Sequence, residues 1–403
     1  IERSVWKEVL GPAVVMSMLR DRQGRRWLMT NKGVLLETER GLEMMKGNTA
    51  PGMTLAAQQD DEGGLWFATM ADGLRRLPPG WRHFELCANV APLDNGDARG
   101  AAAKRRDGGY WFGTTRGGIE SWDPRTGVIE KRLVGDRVAF PSAVYAVLER
   151  GDGSVWSAGR EVLQRFDPDS GKARRWLSEA KGGPLLAGGL EQMAETADGL
   201  LWIAAYGSGL QALDRDGNVL HTIRPETGSG LESPFQDEID VGPDGSLWVA
   251  NQQGMSRWDS GRERFVHING APSERVFGFV FVGSDKLWLH RLGVLEAYRW
   301  RGGRLYRERT ISFKQGLPAV ESSGVVSDRS GKLWLPTTRG LLRYDPKTES
   351  ARMFGIGDGL PSQELELLFP PEMFDGLGFF SSAAGLVMFE PDRIGEQEKP
   401  SRL

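Results

Sequence analysis

The sequence predicts an all-β fold and, within that class, a single closed β-propeller of four-stranded blades. Two observations lead to this prediction. The chain of 403 residues contains 54 Gly and 14 Trp, which indicates many tight turns and many large apolar side chains. Tryptophan also recurs at intervals from 39 residues (27 to 66) to 46 residues (202 to 248), a period typical of propeller blades. The repeated positions are Trp27, Trp66, Trp111, Trp156, Trp202, Trp248, Trp288 and Trp334, with Phe380 in the ninth place.

Each repeat has the same order of elements. A turn with Asp and Gly precedes an apolar-Trp-apolar strand, a short polar loop follows, and a Gly then opens the third strand. In the clearest repeat we predict an inner strand at 325–328, a second at 333–337, a third at 341–344 and an outer one at 351–354. Nothing in the repeat has helical periodicity. We expect the tryptophans to be buried between successive twisted sheets, where each covers about 150–250 Å².

A glycine follows the loop between the second and third strands of nearly every repeat. A tight hairpin at this place needs positive φ or a close backbone approach, and glycine allows both. A phosphate-binding loop would need a helix directly after the glycine, and none is predicted. The glycines are therefore predicted to set turn geometry. They are Gly33, Gly73, Gly117, Gly209, Gly254, Gly293, Gly340 and Gly385.

The repeats predict nine blades, with eight as the alternative if the irregular repeat around Trp156 or the last repeat is not a full blade. The ninth repeat ends after its third strand at 385–389. We expect residues 3–10 (RSVWKEVL) to supply its outer strand, because closure of the ring removes open sheet edges. The propeller is predicted to span residues 1–396, and residues 397–403 are predicted to begin a linker to a further domain.

Composition excludes several classes of partner and site. The net charge of -3 gives no overall attraction to nucleic acid or to an anionic membrane, so we expect neither partner. No stretch reaches the roughly 18 apolar residues of a membrane span. Cys87 is the single cysteine, so it forms no disulfide framework or zinc site, and we expect it to be buried. The chain begins at Ile1, which leads us to expect a piece of a longer protein.

A search for catalytic groups finds little. His83, His221, His267 and His290 are the four histidines, and no two have the spacing of metal ligands. A propeller lyase that acts on streptogramins needs histidines near a glutamate and a metal, and only His290 lies in a matching loop. The adjacent acids Asp60 with Asp61 and Asp237 with Glu238 are predicted to be solvated. We predict no catalytic residue, no metal and no cofactor.

The loops between second and third strands are the candidate binding site, because in a propeller they share one face around the central channel. Several carry a basic residue, which predicts a positive face that attracts an anionic ligand. The alternative is that these are solvated charges at loop tips. Tyr206 and Phe235 are candidate stacking surfaces for a sugar ring. The candidate ligand-binding residues are Lys32, Arg116, Arg160, Tyr206, Gln252, His290, Arg291 and Arg339.

The pattern D-x-x-G-x-L-W-x-x-T-x-x-G-L-x-x-Y-D at 328–345, with Gly-Leu-Pro at 316–318 and 359–361, resembles the two-component regulator propeller repeat. GLPSQELE (359–366) and the segment 376–394 resemble the terminal repeat of that family. The resemblance implies a periplasmic sensor domain of a hybrid histidine kinase or a diguanylate cyclase. It also implies a β-sandwich linker, a membrane helix and an output domain after the propeller. Members with paired propellers carry more repeats than this chain, so their polysaccharide ligands are not carried over.

The leading hypothesis is a periplasmic module that binds an anionic, extracellular ligand and transmits binding to a C-terminal output domain by a population shift, in a homodimer. The second hypothesis is a protein interaction scaffold without a small ligand. A wide top face without a polar pocket would favour the scaffold. The third is an enzyme, for which a metal or an acid and base cluster near His290 would be the sign.

Overall fold

The computed structural model describes residues 13–38, 41–45, 52–87, 99–133, 143–367 and 369–395. Almost all regular structure in these ranges is β-strand, so the all-β prediction is confirmed. Contacts divide the chain into two compact units. The first comprises Ile1–Phe84, Ile356–Leu360 and Asp392–Leu403, and the second comprises Glu85–Gly355 and Pro361–Pro391. No helix in the described ranges is long and apolar enough to cross a membrane.

The first unit contains two antiparallel sheets, whose strands follow chain order. Sheet 1 has four strands and sheet 2 has three described strands. Sheet 1 consists of β1 (Val15–Arg20), β2 (Arg26–Thr30), β3 (Gly33–Thr38) and β4 (Gly41–Met44), and sheet 2 consists of β5 (Thr54–Gln59), β6 (Leu65–Thr69) and β7 (Gly73–Leu77).

The second unit contains seven four-stranded antiparallel sheets, and the prediction of repeated four-stranded sheets is confirmed there. Sheet 3 consists of β9 (Arg99–Lys104), β10 (Tyr110–Thr114), β11 (Ile119–Asp123) and β12 (Val128–Leu133). Sheet 4 consists of β13 (Val144–Glu149), β14 (Val155–Gly159), β15 (Val162–Phe166) and β16 (Ala173–Leu177). Sheet 5 consists of β17 (Leu190–Glu195), β18 (Leu201–Ala205), β19 (Gly209–Leu213) and β20 (Val219–Ile223).

The remaining sheets continue the series, and short 3-10 turns connect some strands. Sheet 6 consists of β21 (Gln236–Val241), β22 (Leu247–Asn251), β23 (Gly254–Asp259) and β24 (Arg264–His267). Sheet 7 consists of β25 (Gly278–Val282), β26 (Lys286–Arg291), β27 (Val294–Arg301) and β28 (Arg304–Ile311). Sheet 8 consists of β29 (Val326–Ser327), β30 (Leu333–Thr337), β31 (Gly340–Asp345) and β32 (Ser350–Phe354). The 3-10 turns are Glu179–Lys181, Pro225–Thr227, Phe313–Gln315, Ile356–Asp358 and Pro391–Arg393.

Sheet 9 corrects the prediction of how the last repeat is completed. Its first three strands are β33 (Glu372–Phe374), β34 (Leu377–Ser382) and β35 (Gly385–Phe389). The fourth strand, beside β35, is β8 (Phe84–Leu86), so the prediction that residues 3–10 fill this place is wrong. Residues 3–10 themselves lie outside the described residues. Phe84 and Cys87 are buried, which makes this short segment a suitable outer strand, although it lies between the repeats recognised from the sequence.

The predicted tryptophan core is confirmed at Trp27, at six tryptophans of the second unit and at Phe380, all of which are buried. Trp66 in sheet 2 is the exception, since it is 38% exposed. The Arg76 guanidinium lies over the Trp66 ring at 5.7 Å, and Asp60 accepts the indole N–H at 2.9 Å. The six buried tryptophans of the second unit are Trp111, Trp156, Trp202, Trp248, Trp288 and Trp334.

In several repeats the turn before the second strand also holds the indole in place by a hydrogen bond, whereas the buried Trp202 N–H has no acceptor among the described residues. The Trp334 N–H donates to Asp328 Oδ2 at 2.8 Å, and the same carboxylate accepts the backbone N–H groups of Ser330 and Lys332. Asp328 lies six residues before the tryptophan, as do Asp21 before Trp27 and Asp60 before Trp66. One carboxylate therefore closes the turn and satisfies a polar atom that would otherwise be buried without a partner.

Where arginine replaces the aspartate, it stacks on the indole instead. Arg105 lies over Trp111 at 4.9 Å and Arg150 lies over Trp156 at 5.5 Å, measured to the ring centroids. A second group then accepts each indole N–H: Glu149 at 2.6 Å from Trp111, and Ser154 at 3.0 Å from Trp156. The cation–π contact and the new acceptor together replace the aspartate in these repeats.

The glycine prediction is confirmed, because all eight glycines have positive φ. Gly340 shows why: its φ is 117°, and a Cβ there would lie 2.2 Å from the Phe354 carbonyl oxygen. The turn thus excludes side chains by both conformation and space. The predicted strands of sheet 8 are also confirmed within one or two residues. The repeat around Trp156 forms a complete four-stranded sheet.

Adjacent sheets of the second unit pack face to face through their inner strands. These strands contact one another in the order β9, β13, β17, β21, β25, β29 and β33, and β33 also contacts β9. Between sheets 9 and 3, the Tyr110 hydroxyl donates to the Phe374 carbonyl at 3.3 Å and the Ser381 hydroxyl donates to the Gly100 carbonyl at 3.2 Å. Cys87, Phe112 and Phe379 belong to one buried cluster at this place.

The hydrogen bond between Asp328 and Trp334 can be isolated by a double-mutant cycle. Asp328→Ala is expected to lower the free energy of unfolding by about 1–3 kcal/mol, because the buried indole N–H loses its acceptor. Trp334→Phe removes the donor, so the two substitutions together should cost less than the sum of their separate effects. Urea denaturation of the four proteins measures the coupling. Glu232→Ala, at an exposed acid of the same unit, is the control, and strict additivity would contradict the assignment.

Candidate functional site

The second unit contains a cavity of about 940 Å³. The inner strands of all seven sheets line it, from β9 in sheet 3 to β33 in sheet 9. The antiparallel order of each sheet places the start of the inner strand at the same end as the turn between the second and third strands. We call this end the turn face, defined by the turns at 115–118, 160–161, 206–208, 252–253, 292–293, 338–339 and 383–384. The cavity runs along the inner strands from this end.

Four acidic side chains line the cavity without a basic partner among the described residues. Glu191 is the second residue of β17, Glu238 and Asp240 lie in β21, and Glu372 begins β33. Glu238 and Asp240 are two residues apart, so they lie on the same side of their strand. We call these four side chains the cavity acids.

Glu238 is the most enclosed of the cavity acids, since it is only 8% exposed. Its Oε2 accepts the backbone N–H of Phe279 at 2.8 Å, which links β21 to the inner strand of the next sheet. A Cβ on Gly278 would lie 2.3 Å from the same oxygen. The absence of a side chain at this position therefore makes room for the carboxylate at the cavity wall.

The enclosure of the cavity acids raises their pKa values. Desolvation raises the pKa of Glu372 to about 8, with a further contribution from the charge of Asp240. Desolvation alone raises the pKa of Glu191 to about 7. Burial, and then the charge of Asp240, raises the pKa of Glu238 well above its ordinary value. Asp240 and Glu372 expose their side chains to the cavity, and desolvation by the surrounding strands also raises the pKa of Asp240.

Basic side chains line the cavity near the opposite ends of the inner strands. Lys104 pairs with Asp375 at 2.9 Å and Arg105 pairs with Asp107 at 2.6 Å, so acids outside the cavity compensate these charges. Glu195, a further acid of the lining, pairs with Arg150 at 2.9 Å. Arg106 and Glu149 also line this end, where the Arg106 backbone N–H donates to the Glu149 carboxylate at 3.4 Å. Acids still outnumber bases in the lining, and the cavity acids form no ion pair with a described base.

Aromatic side chains lie beside the cavity acids at the start of the inner strands. Tyr145 and Phe369 both line the cavity, and their ring centroids are 5.6 Å apart. A Cβ on Gly189 would lie 3.1 Å from Glu191 Oε1 and 3.5 Å from Tyr145 Cε2, so the acid and the ring flank the same glycine. The site thus offers carboxylates and apolar ring faces together.

Five of the predicted ligand-binding residues of the second unit lie on the turn face, and His290 and Arg291 end strand β26 beside it. None of the seven belongs to the described lining of the cavity. Tyr206 packs edge-to-face on Phe235 at 4.9 Å, and both rings remain partly exposed. The two candidate stacking residues are therefore in contact with each other, and their role as a stacking surface stays a prediction. Arg116, Arg160, Gln252 and Arg339 occupy four other turns. Lys32 lies in the corresponding turn of sheet 1, in the first unit.

His290 and Arg291 are held by other protein groups. His290 is fully buried, its Nδ1 lies 2.6 Å from the Ser322 hydroxyl, and desolvation lowers its pKa to about 3. Arg291 pairs with Glu274 at 3.0 Å and with Glu296 at 3.4 Å. His290 is therefore a neutral core residue, and the charge of Arg291 is compensated within the protein.

The prediction that Asp237 and Glu238 are solvated is wrong. Asp237 pairs with Arg275 at 2.6 Å, and Glu238 is buried at the cavity wall. The alternation of β21 could have placed Glu238 and Asp240 on one face, but it could not show that this face borders a cavity. Glu191, Glu372 and Tyr145 lie far apart in sequence, and only the assembly of the sheets brings them to the same cavity.

The cavity acids do not form a metal centre. In the ranges that the structure describes, no three His, Cys, Asp or Glu side chains are grouped so that they could hold a metal ion. The cavity acids come from three separate inner strands and surround a large volume. Their arrangement fits a ligand of several atoms better than a single ion.

Solved structures share this fold at low sequence identity. The extracellular domain of the hybrid two component system BT3049 from B. thetaiotaomicron superposes with a TM-score of 0.70 and 16% identity, over 94% of this chain and 51% of that one. This chain thus spans about half the length of that domain. Virginiamycin B lyase from Staphylococcus aureus has a TM-score of 0.53 and 12% identity, over 72% of this chain and 94% of the lyase.

The WD40 β-propeller domain of Doa1 also matches, with a TM-score of 0.52 and 11% identity, over 76% of this chain and 95% of that domain. The chain therefore has a β-propeller fold, and the likeness to BT3049 agrees with the resemblance drawn from the repeats. No family model and no curated protein sequence matches the chain.

The raised pKa of Glu372 predicts a pH dependence of stability. Below its ordinary value of 4.5 the carboxyl is protonated in both states, whereas between 4.5 and about 8 only the unfolded state releases the proton. The contribution of Glu372 to stability therefore falls as pH rises through this range. Glu372→Gln removes this loss. The melting temperature of the variant minus that of the unsubstituted protein should therefore be larger at pH 9 than at pH 5.

Thermal denaturation at several pH values measures this difference. Glu366→Gln, at an exposed acid of the same unit, is the control. A difference between Glu372→Gln and the unsubstituted protein that stays constant from pH 5 to pH 9 would mean that Glu372 is not desolvated.

Proposed function

We propose that the chain is a non-catalytic, ligand-sensing region of a membrane-bound bacterial signalling protein. The observation that supports it most is the cavity of the second unit, which combines carboxylates with aromatic faces at one end of the inner strands. The fold is that of an extracellular domain of a hybrid two component system, which agrees with a sensor role. The proposal includes periplasmic placement, a C-terminal output domain and pairing of protomers in the full-length protein.

We also propose that sheets 3 to 9 form a closed ring of seven blades, in place of the nine predicted from the repeats. The contacts of the inner strands run from β9 to β33 and return to β9. The hydrogen bonds between sheets 9 and 3 and the cluster around Cys87 support the same arrangement. In such a ring the cavity is the central channel, and β8 completes the last blade.

The ligand is proposed to bind in the cavity in preference to the basic turns. Loop-tip arginines attract an anion only when their charges are free, and Glu274 and Glu296 compensate Arg291. Each cavity acid lacks a basic partner in the described residues. Ligand binding would then change the packing between inner strands. This change would shift the equilibrium between conformations, to which the output domain responds.

Thermal-shift screening tests this proposal. The panel contains acidic and neutral oligosaccharides, nucleotides, small carboxylates, amines and divalent metals. A ligand that binds the folded state at one hundred times its Kd adds about 2.7 kcal/mol of stability. Tyr145→Ala and Phe369→Ala should reduce the shift, because each removes an aromatic face from the cavity, while Tyr306→Ala on the exposed outer strand β28 should not.

The outcomes separate the alternatives. A shift that is lost in Arg116→Ala and Arg339→Ala, but kept in the cavity variants, would move the site to the turn face. No shift with any compound would favour the protein interaction scaffold. A ligand that binds tightly but leaves the activity of the full-length protein unchanged would contradict the sensor role.

A further inference from the structure

The cavity carries an excess of acidic side chains, and the hydrogen bonds that the cavity acids make within the protein do not require their charge. Glu238 holds Phe279 N–H through one oxygen, but a neutral glutamine would make the same hydrogen bond. Among the described residues, Asp240 accepts one hydrogen bond, from the backbone N–H of Val241 at 2.7 Å. For Glu191 and Glu372 the described residues provide no ion pair. A buried carboxyl such as Glu238 and three further carboxyls at the cavity wall, none paired with a described base, are costly to the fold unless a ligand compensates them.

Other acids act on Glu238 and on Glu372. Asp240 and Asp237 from its own strand and Glu372 from β33 all act on Glu238, and Asp240 acts on Glu372. Arg275 pairs with Asp237, the residue before Glu238, at 2.6 Å. The paired acids and the nine-tenths buried, uncompensated Glu238 thus present negative potential to the cavity interior.

We propose that the cavity binds an organic cation with two or more amino groups joined by an apolar chain, a proposal that rests on the ligand-sensing function above. A single metal ion does not fit, because no three acids among the described residues are grouped around one point. An extended polyamine places separate charges at separate carboxylates. Glu238 and Asp240 lie about 7 Å apart along their strand, a distance that successive amino groups of such a chain can match.

The aromatic residues complete the recognition of this class of ligand. Tyr145 and Phe369 lie beside Glu191 at one end of the cavity, where they can cover methylene groups and attract an ammonium group to their faces. The compensated basic residues Lys104 and Arg105 lie toward the other ends of the strands. The ligand is therefore expected to occupy the part of the cavity nearest the turn face.

Binding should release protons, because a bound ammonium favours the charged form of each carboxyl. Glu191 and Glu372, with pKa values of about 7 and about 8, are partly protonated near neutral pH before the ligand arrives. Affinity should accordingly fall as pH is lowered from 8 to 6, as these carboxyls become protonated. Non-specific binding of the cation to exposed carboxylates would release few protons, because those carboxylates are already ionised near neutral pH.

Isothermal titration calorimetry with spermidine on the whole chain tests the proposal, at pH 7.5 and in two buffers of different ionisation enthalpy. We expect saturable binding with net proton release. Glu238→Gln and Glu372→Gln should each raise the Kd for spermidine at least tenfold, because glutamine has the shape of glutamate but no charge. Glu232→Gln, at an exposed acid of the same unit, should leave the affinity unchanged. Melting curves of each variant establish that it is folded.

Three results would overturn the cation proposal. The first is that spermidine does not bind. The second is that the unsubstituted protein and both cavity variants bind spermidine with the same affinity. The third is that Mg²⁺ or the uncharged chain triethylene glycol binds as tightly as spermidine. If spermidine fails but another compound of the thermal-shift panel binds in the cavity, the cation proposal is wrong and the sensing function stands. If no compound binds at all, both are wrong.

Discussion

The rest of the structure depends on how each sheet fixes the tryptophan of its second strand. The indole fills the space between neighbouring sheets, and a turn acid such as Asp328 satisfies its N–H. The same acid orders the turn that leads from the inner strand into the second strand. In repeats that have this acid, one side chain sets both the turn and the position of the ring. Trp111 and Trp156 reach this result with a stacked arginine and a different acceptor. The Trp202 indole has no such acceptor among the described residues and is held by packing against Trp258 and Phe265.

The inner strands then determine the chemistry of the cavity. A strand that borders an enclosed volume exposes alternate side chains to it, and β21 places Glu238 and Asp240 there. Enclosure makes these carboxyls hold their protons more strongly, so they combine the properties of a cation site and of a titratable site. The basic turn residues, in contrast, lie outside the cavity lining, and Arg291 is already paired. The electrostatic character of the second unit therefore differs between its interior and its turn face.

Local features of the fold could be predicted from the sequence, whereas features formed by distant segments could not. The strand at 333–337, the burial of Trp334 and the positive φ of Gly340 follow from one repeat and its turn chemistry. The outer strand of sheet 9 comes from Phe84–Leu86, about 300 residues before β35, and no local pattern marks that pairing. The sequence analysis did not identify the cavity acids for the same reason. Asp237 and Glu238 are adjacent in sequence, and only the surrounding sheets bury one and pair the other with an arginine. Trp66 shows the reverse case, because it has the full motif and yet is 38% exposed.

We propose that sheets 3 to 9 close around the cavity, with strand β8 completing the last blade. Native-state hydrogen exchange of the Phe84–Leu86 amides tests it most directly, with the outer strand β32 (Ser350–Phe354) of sheet 8 as the internal reference. Closure predicts that the two outer strands are protected to a similar degree, because each is paired along one edge with the third strand of its sheet. Exchange of the Phe84–Leu86 amides as fast as that of exposed turns, while β32 stays protected, would contradict the closed ring.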